Sequence, residues 1–351
     1  MKKLPPLRRP SSPLVAVALL IAAALALSCS DGGGGNGTIE KLYGAQGNQL
    51  DVYDLETDVA TTLIASAGDG GNDVNGQVCL MPDESGNFMM GEDTDQGEGA
   101  RQGWGIFSPD GTLVGKVVEP ETENEAQQIE PFGCAFDGAG RLFVTDVGSG
   151  SFTAEDGKLI VFFPPDYETL CILDASLHVP GTVAIDDEGR VYVPETVPPG
   201  HVLRFSPPFP ASDAECDTTD LNRETFIEDE AMTTPFGIAR AANGNWYVSS
   251  VVLPPTIREY DAGGIFVRVI IEGDLIGNPA GLDVAGDGTI YYADLGLVPD
   301  PEQGFAPGEE TGTVRRVAFD DDGNPLTPEI MGQALNYPDA VSVLEIEEEE
   351  E

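Results

Sequence analysis

A short motif appears four times along this chain of 351 residues, and it limits the possible folds more than any other feature. Each copy has a Pro-x-Gly opening or a close variant of it, an apolar run, a tight polar turn ending in glycine and a second apolar run. The copies are PFGCAFDGAGRLFVTD from Pro131, VPGTVAIDDEGRVYVPE from Val179, PFGIARAANGNWYVSS from Pro235 and PAGLDVAGDGTIYYAD from Pro279. Two short strands joined by a tight turn produce this pattern.

The spacing of the copies indicates how the strands are grouped. Their turn glycines, Gly140, Gly189, Gly244 and Gly288, lie 49, 55 and 44 residues apart, and a degenerate copy places Gly86 another 54 residues upstream. Each period contains four strand-like runs, such as CAFD, RLFVTD, KLIVFFP and ETLCIL after Pro131. Periods of this size with four short strands are typical of β-propeller blades. No helical periodicity of useful length follows residue 28, so the sequence predicts an all-β fold.

The two ends of the repeat region complete the count of blades. The segment TIEKLYGAQGNQLDVYDLETDVATTLIAS, residues 38–66, supplies three strands, and YPDAVSVLE from Tyr337 supplies one. If the C-terminal strand is the inner strand of the N-terminal blade, the ring closes without an exposed edge. We therefore predict a six-bladed β-propeller of four-stranded blades over residues 38–346, closed by pairing of the N- and C-terminal strands.

The copies from Pro235 and Pro279 resemble NHL-type repeats and the related gluconolactonase-like and strictosidine-synthase-like six-bladed propellers. The resemblance covers nearly the whole chain after residue 28. It implies the fold, but such propellers include lactonases, lyases, binding domains and scaffolds, so the activity stays open. In the gluconolactonase-like class, axial Glu, Asn and Asp side chains hold a divalent ion. The matching residue types here do not lie in that class's motifs, so no role is transferred to Glu92, Asn278, Asp294 or Asn336.

The N-terminal segment predicts export. Two lysines and two arginines precede the apolar run LVAVALLIAAALAL, which ends just before Ser28 and Cys29. This is the pattern of a secretory signal peptide, residues 1–28. A small residue before a cysteine resembles the bacterial lipobox, which implies lipidation of Cys29 and a Gly-rich tether, residues 29–37, at the membrane of a bacterial cell envelope. Ordinary secretion with an unmodified Cys29 is the alternative.

The charge of the chain limits its partners. Four of the 17 basic residues lie in the signal segment, which leaves 13 against 61 acidic residues and a formal charge of about −48 for the exported part. Such a surface repels nucleic acid and anionic lipid. We expect no nucleic-acid partner, a monomer in solution, and a solvated acidic tail over residues 347–351.

Four cysteines remain when Cys29 is set aside. An even number in an exported protein predicts two disulfides, and no C-x-x-C spacing indicates zinc or redox chemistry. Sequence alone allows three pairings. The blade alignment favours Cys79 with Cys134 and Cys171 with Cys216.

The loops predict which face of the propeller binds. The turns between first and second strands are minimal, whereas the loops between second and third strands are long, and binding residues tend to lie on such loops. At the start of these loops stand four carboxylates and one serine at equivalent positions: Glu92, Asp146, Glu195, Ser250 and Asp294. If the four carboxylates converge on the axis, they would hold calcium or another divalent cation. Alternatively, each carboxylate caps its own turn.

Two aromatic residues and two histidines complete the candidates. Phe132 and Phe236, in the Pro-Phe-Gly openings, lie near the axial opening and would either line a pocket or pack between blades. His178 and His201 are too few for a three-histidine zinc site. Two functions follow: an envelope lipoprotein that binds a small molecule or an envelope protein through its acidic loop face, or a metal-dependent lactonase of the gluconolactonase-like class.

Overall fold

The computed structural model describes residues 38–347, apart from residues 67, 69–71, 84, 93–102, 119–129, 152, 253 and 302–303. The predicted signal peptide, Cys29, its tether and residues 348–351 of the acidic tail lie outside the described residues. Within the described part, the strands form six four-stranded antiparallel sheets and one two-stranded sheet. No helix in these ranges is long and apolar enough to cross a membrane.

The first three sheets are blades one to three, and the strands of each blade are named from the axis outward. Blade one combines one C-terminal and three N-terminal strands: β26 (Pro338–Glu347), β1 (Thr38–Gln46), β2 (Gln49–Tyr53) and β3 (Ala60–Ile64). Blade two contains β4 (Val74–Leu80), β5 (Phe88–Glu92), β6 (Gly103–Phe107) and β7 (Leu113–Val117). Blade three contains β8 (Pro131–Phe136), β9 (Leu142–Asp146), β10 (Gly157–Phe162) and β11 (Leu170–Leu177).

The next three sheets are blades four to six. Blade four contains β12 (Ala184–Ile185), β13 (Val191–Glu195), β14 (His201–Ser206) and β15 (Asn222–Glu228). Blade five contains β16 (Pro235–Arg240), β17 (Trp246–Ser250), β18 (Thr256–Tyr260) and β19 (Phe266–Glu272). Blade six contains β20 (Pro279–Val284), β21 (Ile290–Asp294), β24 (Gly312–Val317) and β25 (Glu329–Leu335). These sheets confirm the predicted six-bladed all-β fold.

The ring closes through the pairing of the two ends of the domain, as predicted. Strand β26 runs antiparallel to β1, from the pair Thr38 and Glu347 to the pair Gln46 and Pro338. The strand begins one residue later than predicted, because Tyr337 has a φ of 53°, which is incompatible with extended backbone. It also continues to Glu347, which we assigned to the tail.

The repeated motif requires glycine at two positions, the tight turn and the Pro-x-Gly opening. All five aligned turn glycines have φ between 72° and 91°, a region that residues with a Cβ rarely adopt. In the Pro-x-Gly opening the constraint is space instead. A Cβ added to Gly181 would lie 1.8 Å from the carbonyl oxygen of Phe236 in the next blade. The inner strands therefore approach each other around the axis at positions where no side chain fits.

Hydrogen bonds between blades join the inner strands. The Thr145 hydroxyl accepts the Gly133 N–H (2.8 Å) and donates to the Gly181 carbonyl of the next blade (2.7 Å). Gln77 on β4 reaches further: its Oε1 accepts the N–H groups of Cys134 (3.2 Å) and Val183 (3.0 Å). This one side chain links blades two, three and four, so the centre of the ring is joined by polar contacts as well as by packing.

The core lies between neighbouring blades. Tyr192 of blade four and Trp246 of blade five have ring centroids 4.1 Å apart, and Trp104 of blade two lies 5.7 Å from Phe162 of blade three. The two predicted disulfides add covalent links between blades. Cys79 on β4 is bonded to Cys134 on β8, and Cys171 on β11 is bonded to Cys216, which precedes β15.

A carboxylate on β20 contacts the closing strand and makes the stability of the fold depend on pH. Asp283 accepts the Val343 N–H of β26 (2.8 Å) and the N–H of Val284 (2.8 Å). Burial, opposed by these hydrogen bonds, raises the pKa of Asp283 to about 6 from an ordinary value of 3.8. Because the folded state then binds more protons than the unfolded chain, this group makes the fold less stable as the pH rises from about 4 to about 6.

Replacing this carboxyl with an amide is therefore expected to remove the pH dependence that it causes. Asp283→Asn loses one of the two N–H acceptors at every pH, but its free energy of unfolding relative to that of the native protein should rise by about 1 to 3 kcal/mol between pH 4 and pH 7. Urea melts of both proteins across this pH range measure the difference. An equal loss of stability for the variant at every pH would show that the charge on Asp283 carries no cost.

Candidate functional site

The loop face is more structured than we predicted. The long segment between β21 and β24 of blade six forms a hairpin of β22 (Leu297–Asp300) and β23 (Gly304–Pro307). Its three prolines made it resemble an irregular loop in sequence. Leu297, Phe305 and Pro307 of this hairpin line the central opening of the propeller.

The five equivalent residues each occupy the end of a second strand, as the alignment implies. Their side chains are buried, with at most 2 % exposure. Strand β1 of blade one adds a sixth member, Gln46, which the alignment missed because that blade lacks the motif. Gln46 bonds Asp51 of its own blade.

In blades three and six the carboxylates pair with cations of the same blade. Asp146 lies 3.1 Å from the Lys158 ammonium, and its Oδ1 accepts the Gly148 N–H (2.9 Å). Asp294 Oδ2 accepts bonds from Arg315 (2.7 Å) and from the Thr313 hydroxyl (3.1 Å). The negative charge of each side chain is therefore balanced by a cation in its own sheet.

The carboxylates of blades two and four have the same arrangement. Glu92 forms an ion pair with Lys116 on the outer strand β7. Glu195 is hydrogen-bonded to the His201 imidazole and lies 3.7 Å from the His178 ring, so both histidines of the chain contact one buried glutamate. Burial alone would raise the pKa of Glu195, but bonds from His201 and the His178 N–H lower it below the ordinary value. The bond to Glu195 in turn raises the pKa of His201.

One backbone contact is common to four of these positions. The side chain accepts the N–H of a residue that precedes its own inner strand: Glu130 to Asp146 (2.9 Å), His178 to Glu195 (2.8 Å), Thr234 to Ser250 (3.0 Å) and Asn278 to Asp294 (2.7 Å). Since serine makes this contact as well as a carboxylate does, the position requires an acceptor. Asp146 and Asp294 also accept the N–H two residues further on, from Gly148 and Gly296, as the capping alternative expects.

Each of the four carboxylates contacts a basic side chain of its own blade. Across the described ranges, no group of three or more His, Cys, Asp or Glu side chains is arranged to hold a metal ion. The amides considered for a lactonase site are also engaged: Asn278 Oδ1 accepts the Leu297 N–H (3.0 Å), and Asn336 Oδ1 accepts the Glu310 N–H (2.8 Å). The described carboxylate and amide oxygens therefore do not form a binding site for a divalent ion.

The central opening instead contains a pocket of about 560 Å³. It lies on the loop face, because its lining residues come from the starts of the inner strands and from the loops that follow the second strands. Apolar side chains form most of the wall: Phe132, Val147, Val179, Phe236, Val251 and Leu295. The rings of Phe132 and Phe236 are 4.7 Å apart, so these residues both line the pocket and pack between blades.

Polar residues complete the lining. Asn75 is the second residue of β4 in blade two, Asp339 lies on β26 of blade one, and Glu130 precedes β8 of blade three, while Thr196 and Thr234 add hydroxyl groups from blades four and five. Asp339 also accepts the Gly76 N–H of blade two (3.3 Å). Sequence reasoning missed these residues, although Asn75 and Asp339 occupy the middle place of the Pro-x-Gly opening, which the alignment could have placed beside the two phenylalanines.

Comparison with known proteins is informative about the fold alone. No protein-family model and no curated protein sequence matches the chain. A Bacteroides caccae protein of unknown function has a similar structure, with a TM-score of 0.53 and 13 % identity over 88 % of this chain and 99 % of its own.

Two other bacterial structures are similar. A gluconolactonase from Xanthomonas campestris has a TM-score of 0.49 and 16 % identity, over 73 % of this chain and 83 % of its own. The calcium-binding protein regucalcin from Agrobacterium tumefaciens has a TM-score of 0.52 and 14 % identity, over 83 % of this chain and 86 % of its own. With its six sheets and its likeness to this last structure, the protein is a six-bladed β-propeller with the fold of regucalcin.

Proposed function

We propose that this protein is a binding module that holds a small, mainly apolar molecule in the axial pocket of its loop face. The main support for this proposal is the size and lining of the pocket. Its volume of about 560 Å³ lies within the range of small-molecule sites, and it combines an apolar wall with a few polar groups, as such sites do.

The buried carboxylates support binding rather than metal-dependent hydrolysis. None of Glu92, Asp146, Glu195 and Asp294 lines the pocket, and each is paired within its own blade. A lactonase of the gluconolactonase-like class would need a divalent ion at the axis, and these residues do not offer a site for one. We therefore derive no hydrolytic step from them.

The proposal includes the place where the protein acts. The pattern of residues 1–28 and the cysteine at position 29 support a lipid anchor in a bacterial cell envelope, with the pocket presented to small molecules or envelope proteins. The mass of the mature N-terminal peptide tests this part, and an N terminus that carries no lipid would contradict it.

Binding in the pocket can be measured with an uncharged fluorescent probe, Nile red. We expect saturable binding, and we expect Phe236→Ala to weaken it about tenfold or more, because a buried phenylalanine contact contributes about 1.5 to 3 kcal/mol.

The matched control is Phe266→Ala on the outer strand β19. Phe266 is 46 % exposed and lies outside the pocket, so its removal should leave the affinity unchanged. Absence of saturable binding would refute the proposed function. A loss of affinity in Phe266→Ala but not in Phe236→Ala would place the probe on the outer surface instead.

A further inference from the structure

The lining of the axial pocket has one sign of charge. Among the described residues that line it, the charged ones are Glu130 and Asp339, and Lys, Arg and His are absent from this set. The surrounding protein is acidic as well, with 61 acidic and 17 basic residues in the whole chain. An acidic opening with apolar walls concentrates cations and repels anions.

Aromatic rings line the same pocket: Phe132, Phe236, Phe305 and Tyr337. The face of an aromatic ring attracts an ammonium group electrostatically, and the attraction is strongest where water is excluded. Phe132 and Phe236 are adjacent, with centroids 4.7 Å apart at an interplanar angle of 57°. The apolar wall therefore favours an organic cation over an organic anion of equal size.

The two acidic residues belong to the part of the ring formed by blades one to three, whereas apolar residues line the pocket from blades three, five and six. Asp339 and Glu130 belong to blades one and three, while Phe236, Val251 and Leu295 belong to blades five and six. Burial, together with the charges of Asp339 and Glu130, raises the pKa of Tyr337 to about 12. Asp339 already accepts a backbone N–H, so it would act on a ligand through its charge.

We propose that the ligand of this pocket is an organic cation, an ammonium group attached to a hydrocarbon body. This inference rests on the proposed function. The ammonium group lies on the side of Glu130 and Asp339, and the hydrocarbon body lies against Phe236 and Leu295. A carboxylate or phosphate of the same size is rejected, because the described part of the lining offers it no cation.

Three molecules of nearly equal shape isolate the effect of charge: hexylamine, hexan-1-ol and hexanoate. Displacement of Nile red at pH 7 measures their affinities. We expect hexylamine to bind about tenfold more tightly than hexan-1-ol, and hexanoate to bind about tenfold more weakly than hexan-1-ol. Added salt should reduce the advantage of hexylamine and leave hexan-1-ol unaffected.

The variants Glu130→Gln and Asp339→Asn should each reduce the affinity for hexylamine more than the affinity for hexan-1-ol. Asp321→Asn, in the exposed turn between β24 and β25, makes the same change in net charge and should have no effect. If Asp339→Asn does not fold, Glu130→Gln and the salt series still test the proposal.

The outcomes separate this inference from the proposed function. Equal affinities for the three molecules, or tighter binding of hexanoate, would overturn the cation preference and leave the apolar pocket intact. Failure of all three to displace Nile red would also overturn it. Absence of Nile red binding would refute the pocket as a binding site.

Discussion

Deleting residues 336–351 is expected to lower the melting temperature by more than about 10 °C or to prevent folding. The deletion removes β26, which pairs with β1 along its whole length and buries Ala340 and Val341. Buried apolar side chains contribute about 1.5 to 3 kcal/mol each, and the whole fold is stable by only about 5 to 15 kcal/mol. The deletion also exposes the edge of β1 and the inner strand of blade two.

The matched control is deletion of residues 348–351 alone, which leaves β26 complete and should leave the melting curve unchanged. Val341→Ala, with an expected cost of about 1 to 2.5 kcal/mol, tests the strand in a protein that still folds. A peptide of residues 336–347 added to the longer deletion should restore part of the lost stability. An unchanged melting temperature after that deletion would contradict the closure.

The closure and the blade count were predictable because they depend on local backbone requirements that sequence displays directly. A turn with positive φ requires glycine at Gly140 and its equivalents, and the close approach of inner strands requires glycine at Gly181. Both constraints repeat from blade to blade. The strand missing from the N-terminal blade could then be assigned to the C-terminal end.

The partners of the ring carboxylates were not predictable in the same way. Lys158 lies directly across from Asp146, His201 across from Glu195 and Thr313 across from Asp294 on the third strand of each blade. These pairs are 12, 6 and 19 residues apart in sequence. Since the loops between second and third strands differ in length, the sequence did not show the register of the third strand, and it did not show which side chain lies opposite each carboxylate.

The sequence predicted only some of the residues that line the pocket. Phe132 and Phe236 could be placed at the axial opening, because they occupy the middle of a recognisable motif. Asn75 and Asp339 occupy the same place in copies that lack the proline or the glycine, so the pattern that identifies the position is weakened there. The hairpin that contributes Phe305 is an insertion in one blade, and a repeat gives no information about such an element.

Replacing Asp294 with asparagine is expected to destabilise the protein by about 3 kcal/mol, a fall of roughly 5 to 10 °C in melting temperature. The carboxylate is buried and accepts bonds from Arg315, Thr313 and the backbone N–H groups of Asn278 and Gly296. Asp294→Asn leaves Arg315 without its counter-ion and turns an amide N–H toward other donors. Both effects remove stability because they leave buried polar groups unsatisfied.

Ser250 provides the matched control, since it occupies the equivalent position in blade five without a charge. Ser250→Ala removes the bond to the Thr234 N–H and should cost only about 0.5 to 1.5 kcal/mol. A double-mutant cycle of Asp294→Asn with Arg315→Leu should show a coupling energy well above zero, because the two side chains are in direct contact. Additive costs would mean that the pair contributes nothing.

Calcium distinguishes the two roles considered for these carboxylates. If Glu92, Asp146, Glu195 and Asp294 are held by Lys116, Lys158, His201 and Arg315, calcium should leave the melting temperature of the native protein and of Asp294→Asn unchanged relative to chelator. A shared calcium site would instead stabilise the native protein by about 2.7 kcal/mol at a hundredfold excess over the dissociation constant, and the amide variant would lose that gain. Since every one of the four already has a partner in its own sheet, a cation at the axis would have to break buried ion pairs before it could bind, and we expect the first result.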